Sequence, residues 1–83
     1  MPKIPRNISG KKLAKLLKNY GYTIEHKTGS HIRLVSNFKS TKHKITIPDH
    51  NPIKIGTLNN ILNDISEYLG FSKEELIKKL FKK

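Results

Sequence analysis

Four histidines, at positions 26, 31, 43 and 50, are the side chains of this 83-residue chain that exchange protons near neutral pH unaided. His31 is set apart by its surroundings. It follows a Gly29-Ser30 pair and opens the run His31-Ile32-Arg33-Leu34, in which polar and apolar residues alternate. A two-residue period puts Ile32 and Leu34 on one face of a strand and His31 with Arg33 on the other. A proton-transfer group would then stand beside a guanidinium able to hold a phosphate. An exposed strand histidine is also an ordinary surface residue. Residue type alone leaves both readings open.

The remaining histidines carry weaker signals. His26 precedes the Thr28-Gly29-Ser30 turn and can lie near His31 across it. His43 sits within Lys42-His43-Lys44, most simply a solvated basic cluster, and His50 follows Pro48-Asp49 in a linker. A zinc site from His31, His43 and His50 is disfavoured, because no close pair has zinc-ligand spacing and the chain has no cysteine. There is no Gly-rich phosphate loop, no nucleophile elbow and no carboxylate pair in the basic half. With six acidic residues in all, a two-metal nuclease is a poor fit. An RNA substrate relaxes these demands, since its 2′-hydroxyl is already the nucleophile. The protein need then supply only an acid or base and charge beside the phosphate. No cofactor is expected.

Charge points the same way. The net charge is +11, from 17 Lys and Arg against 6 Asp and Glu. Residues 1–45 hold 11 basic residues and the single acid Glu25, whereas residues 46–83 hold 6 basic and 5 acidic residues. A field concentrated in one half suits a polyanion or an acidic partner. No segment has the Trp- and Arg-rich amphipathic character of a membrane-lying helix, and no run approaches the roughly 20 apolar residues of a span. The first residues, Met1-Pro2-Lys3-Ile4-Pro5-Arg6, lack the apolar run of a signal peptide. Together with the absence of cysteine, these features lead us to expect a cytoplasmic protein.

The elements that must position these residues follow from periodicity. Ser9 is a candidate N-cap, Leu13, Leu16, Leu17 and Tyr20 form one apolar stripe, and Gly21 ends this first helix. Lys11, Lys15 and Lys18 lie on its other side, available to phosphate or simply solvated. Three alternating runs then predict an antiparallel meander with Ile24, Ile32, Leu34, Ile45 and Ile47 facing the core. Ser36 to Lys42 reads as a polar hairpin loop, and Pro48 stops the third strand. Leu58, Ile61, Leu62, Ile65 and Leu69 mark a second helix ended by Gly70. A third starts with Ser72 as cap and Glu75 completing a capping box, with Phe71 placed to staple against Leu76. Leu76, Leu80 and Phe81 would dock it on the core or on a partner. The expected fold is α+β: α-β-β-β-α, a three-stranded antiparallel sheet with helices on one face, plus a short C-terminal helix. At this length one domain is expected over residues 1–83, with its core at about 8–69 and a helical extension at 71–83.

The ordered pattern resembles the HicA family, the mRNA-cleaving toxins of HicAB toxin–antitoxin modules. The residues that carry the resemblance are Ser9-Gly10-Lys11, Leu16-Leu17, Gly21-Tyr22, Lys27-Thr28-Gly29-Ser30-His31, Ile47-Pro48-Asp49-His50 and Gly56-Thr57-Leu58-Asn59-Asn60-Ile61-Leu62. They span residues 8 to about 69. The resemblance implies a double-stranded-RNA-binding-domain-like fold, metal-independent endoribonuclease activity on mRNA, and an antitoxin of the HicB type that covers the active site. It places the family's catalytic histidine on His31 and its turn glycine on Gly29, beside Ser30. Lys27, Arg33 and Lys44 are then candidates to hold phosphates near His31, with Lys11, Lys15 and Lys18 extending the track. Three Tyr and three Phe, several of them in apolar stripes, give little support to a stacking platform for single strands. Shape recognition of an A-form helix fits better. The rival reading is a double-stranded-RNA-binding module without catalysis, which has no need of His31. The segment Ser72–Lys83 departs from the shortest family members.

Overall fold

The computed structural model describes residues 4–81. Along the chain run α1 (Gly10–Leu17, continued by a 3-10 turn at Lys18–Tyr20), β1 (Tyr22–Thr28), β2 (His31–Ser36), β3 (His43–Pro48), α2 (Ile55–Leu69) and α3 (Lys73–Leu80). The strands form one antiparallel sheet in the order β1-β2-β3. This is the α+β arrangement expected from the patterning, and it is compatible with the double-stranded-RNA-binding-domain-like fold that the resemblance implies. Its helix boundaries are set by local chemistry. Ser9 Oγ accepts the Lys12 N–H at 3.1 Å, and Ser72 Oγ accepts the Glu75 N–H at 3.1 Å, each filling one orphan donor of a helix start.

One face of the sheet is buried under the helices. Tyr22 on β1, Ile32, Leu34 and Ser36 on β2, and Ile45 and Ile47 on β3 meet Leu13, Ala14 and Leu17 of α1 and Leu58, Ile61, Leu62, Ile65 and Leu69 of α2 in a single core. Removing this much apolar surface from water is the main driving force for the fold. Leu76, Ile77 and Leu80 of α3 belong to the same core, and Phe71 and Phe81 pack at its margin. The C-terminal helix therefore adds core.

Ile24 departs from expectation: it is 52% exposed. It shares a cross-strand row with Leu34 and Ile45, both buried. The helix layer covers that row over β2 and β3 and stops short of Ile24. The next residue sets the facing of His26 and Lys27. Pairing steps from Ile24↔Leu34 to His26↔Arg33, so Glu25 has no partner of its own and forms a β-bulge. Strict alternation would put His26 on the face of Tyr22 and Ile24. The extra residue instead brings it onto the outer face, opposite Arg33, and turns Lys27 to the inner side, opposite Ile32.

Candidate active site

The outer face of the sheet carries two successive cross-strand rows, Thr28–His31–Pro48 and His26–Arg33–Thr46. His31 and Arg33 are exposed there while Ile32 and Leu34 are buried, as the two-residue period requires. His31 owes its position to a two-residue turn. Thr28 pairs directly with His31, and Gly29 and Ser30 close the hairpin with Gly29 at φ 53°. That left-handed conformation is strained for a residue with a Cβ, which accounts for glycine at this point.

His31 stands between two open hollows. One, of about 530 Å³, is lined by His26, Thr28, His31, Arg33 and Thr46. The other, of about 350 Å³, is lined by His31, Thr46, Pro48, His50, Lys54 and Thr57. His31 and Thr46 belong to both, and each hollow adds one further imidazole and one cation. In the first, the His26 ring nitrogen is hydrogen-bonded to the Thr28 hydroxyl. In the second, the β3–α2 connection supplies the groups. Four backbone or ionic contacts hold that connection to its neighbours: Asp49 N–H donates to Ser30 C=O at 2.6 Å, Gly10 N–H donates to His50 C=O at 3.0 Å, Ile53 N–H donates to Ile8 C=O at 2.8 Å, and Lys27 Nζ lies 3.3 Å from the Asp49 carboxylate.

The other cations are distributed unevenly. The described ion pairs are Lys27–Asp49 and Lys44–Glu25, the latter 3.8 Å apart and well exposed. Exposed pairs of this kind contribute under about 1 kcal/mol. Lys44 shares the outer face with the two rows and is tied to the bulge residue Glu25. Lys27 is directed to the inner side of the sheet edge, toward Asp49, and away from Arg33. Among the described residues Arg33 has no carboxylate partner. Lys11, Lys15 and Lys18 are exposed on α1, on the helix layer, so the sheet separates them from the outer-face rows.

His43 corrects a second expectation. It is half-buried, not a member of a solvated basic cluster. Its Nδ1 lies 2.6 Å from the Tyr22 hydroxyl, and its ring stacks on Tyr68 with centroids 4.7 Å apart and planes 15° apart. Burial, followed by the neighbouring Tyr68 and Asp64, pushes the Tyr22 phenol up. The phenol therefore keeps its proton while hydrogen-bonded to the His43 ring. Tyr68 also accepts the Lys39 N–H at 3.0 Å and donates to the Thr41 carbonyl, tying the 37–42 loop to α2. His43 pairs with Ser36, at the opposite end of β2 from His31. His31, His43 and His50 thus do not converge, and among the described residues no three His, Cys, Asp or Glu side chains group around a metal position.

Sequence reasoning placed His26 near His31 but passed over three residues of the two hollows. Thr46 was legible, since inward Ile45 and Ile47 require it to face outward. Lys54 and Thr57 arrive only through the path of the β3–α2 connection, which has no periodic signal.

This layout is that of a small, basic α+β protein with a histidine–arginine pair exposed on the open face of its sheet. Over residues 10–66 the chain matches the family described as "HicA toxin of bacterial toxin-antitoxin", and it belongs to that family. It is accordingly the toxin component of a toxin–antitoxin module, with a cognate antitoxin as partner. No curated protein and no solved structure matches the chain. Among the described residues no helix is long and apolar enough to cross a membrane.

Proposed function

We propose that this toxin is an endoribonuclease that cleaves mRNA without a metal ion, with His31 as its catalytic proton-transfer group. The observation that carries the reading is the exposure of His31 beside unpaired Arg33 at the junction of the two hollows. The 2′-hydroxyl attacks the adjacent phosphorus, His31 exchanges a proton with the reacting oxygens, and Arg33 stabilises charge on the phosphate. A single placed histidine contributes about 10²–10⁴-fold. Gly29 and Ser30 fix the turn from which His31 projects. Lys44 extends the positive field along the outer face. Lys27 acts through the turn, by holding Asp49. Lys11, Lys15 and Lys18 engage a second stretch of backbone from the helix layer. The cognate antitoxin is of the HicB type and acts by covering the outer face. The protein works in the cytoplasm as one domain.

Incubation of purified protein with end-labelled RNA and with its 2′-O-methyl counterpart, both in chelator, tests this. The proposal expects cleavage of the first only, giving a 2′,3′-cyclic phosphate and a 5′-hydroxyl. A gel shift with both RNAs left intact would establish the non-catalytic binding module instead.

A further inference from the structure

The hollow that His31 shares with the β3–α2 connection contains a second exposed imidazole, His50, beside Lys54 and Thr57. His50 belongs to an anchored stretch of that connection. Its own carbonyl receives the Gly10 N–H, and the preceding Asp49 N–H is bonded to Ser30, the residue next to His31. The approach of α1 to this stretch is close: a Cβ on Gly10 would stand 2.2 Å from the Pro48 carbonyl oxygen. Asp49 is engaged by Lys27, which leaves the two imidazoles and Lys54 as the titratable groups bordering the hollow. The His26 ring, in the other hollow, is hydrogen-bonded to Thr28. No side-chain partner of this kind holds the His50 ring among the described residues.

We infer that His50 is a second catalytic residue, and that His31 and His50 form an acid–base pair across one RNA phosphate. The inference rests on the ribonuclease reading above and deepens it. Cleavage through the 2′-hydroxyl needs two proton transfers. As the O2′–P bond forms, the 2′ proton passes to one neutral ring. As the P–O5′ bond breaks, the other ring, protonated, gives its proton to O5′. Charge and atoms balance with RNA alone: the products are a 2′,3′-cyclic phosphate and a 5′-hydroxyl, and no oxidant or co-reactant is consumed. A single imidazole can do only one of these at a time. Two imidazoles on segments joined through Asp49 and Ser30, facing one hollow, can do both in one step.

The test uses the full chain with His31→Ala, His50→Ala and His50→Gln, on ordinary RNA and on RNA whose scissile O5′ is replaced by sulfur. A thiolate leaves without protonation, so the acid becomes dispensable while the base does not. The inference expects His50→Ala and His50→Gln each to lose about 10²–10⁴-fold on ordinary RNA. One of His31→Ala and His50→Ala should regain a rate near the parent's on the sulfur substrate, and the other should not. That split identifies the acid and is a result which simple misplacement of the connection does not produce. Because the anchoring bond uses the His50 backbone carbonyl, these variants retain it, and their thermal unfolding should match the parent's. His50 variants as fast as the parent overturn the pair while leaving His31 in place. So does an equal deficit of both alanine variants on both substrates. A parent that leaves RNA intact overturns the ribonuclease reading, and the pair with it.

Discussion

Two glycines lie in the first turns of helices in this fold, and the structure assigns them opposite sensitivities to an added methyl group. Gly10 opens α1 against the β3–α2 connection. A Cβ there would meet the Pro48 carbonyl oxygen at 2.2 Å, the Asp49 Cα at 3.0 Å and the Pro48 carbonyl carbon at 3.1 Å, all backbone atoms. No side-chain rotation relieves such contacts, so α1 or the connection must shift. The shift sacrifices the 3.0 Å bond from Gly10 N–H to the His50 carbonyl, worth about 0.5–1.5 kcal/mol. Overpacking adds about 1–3 kcal/mol. Against this, alanine gains about 0.5–1 kcal/mol over glycine in a helix. Gly10→Ala should therefore destabilise by about 2 kcal/mol, lowering Tm by about 8–16 °C in a chain of this size. Gly56, in the first turn of α2, has nothing within 4 Å of its Cβ position. Gly56→Ala should leave Tm unchanged or raise it by a few degrees. Thermal unfolding followed by circular dichroism reads both. A Gly10→Ala protein as stable as the parent would refute the close approach, and with it the anchoring of His50.

Three further outcomes follow from single contacts. Leu76→Ala removes a fully buried side chain from α3 and should cost about 2–5 kcal/mol in denaturant titration; a cost near zero would mean that α3 is not part of the core. Tyr22→Phe should cost about 1 kcal/mol at neutral pH by deleting the bond to His43. Because folding raises the Tyr22 phenol above its ordinary 10.0, its contribution is present below pH 10 and is lost as the unfolded chain ionises above it. The stability gap between parent and Tyr22→Phe should accordingly narrow as pH rises past 10; a gap that widens there contradicts the burial argument. Arg33→Gln should weaken RNA binding and reduce the slope of log affinity against log salt by about one phosphate contact, measured on His31→Ala protein so that RNA stays intact.

The elements were legible because their signals are local. Ser9 and Ser72 cap their helices as their spacing indicates, and the leucine and isoleucine stripes of α1 and α2 meet the inward residues of the strands. The Gly29-Ser30 turn and the outward facing of His31 and Arg33 follow from the same short-range rules. What escaped depended on relations between strands or between distant segments. The Glu25 bulge reverses the facing of His26 and Lys27, yet the residues around it continue to alternate plausibly. Ile24 looks like core by period, yet the helix layer that buries Leu34 and Ile45 in its row stops short of it. His43 sits between lysines in sequence but is claimed by Tyr22 and Tyr68, one of them 25 residues away. The second hollow combines strand ends with the start of α2, a neighbourhood that only the tertiary path creates.

The central claim is that His31 performs chemistry on RNA, beyond any part in binding it. The most direct measurement is a cleavage time course on one end-labelled RNA in chelator, comparing the parent with His31→Ala at equal occupancy fixed by gel shift. The account predicts bound but uncleaved RNA for His31→Ala, with a rate at least about 10²-fold below the parent's. Cleavage by His31→Ala at the parent's rate would contradict it.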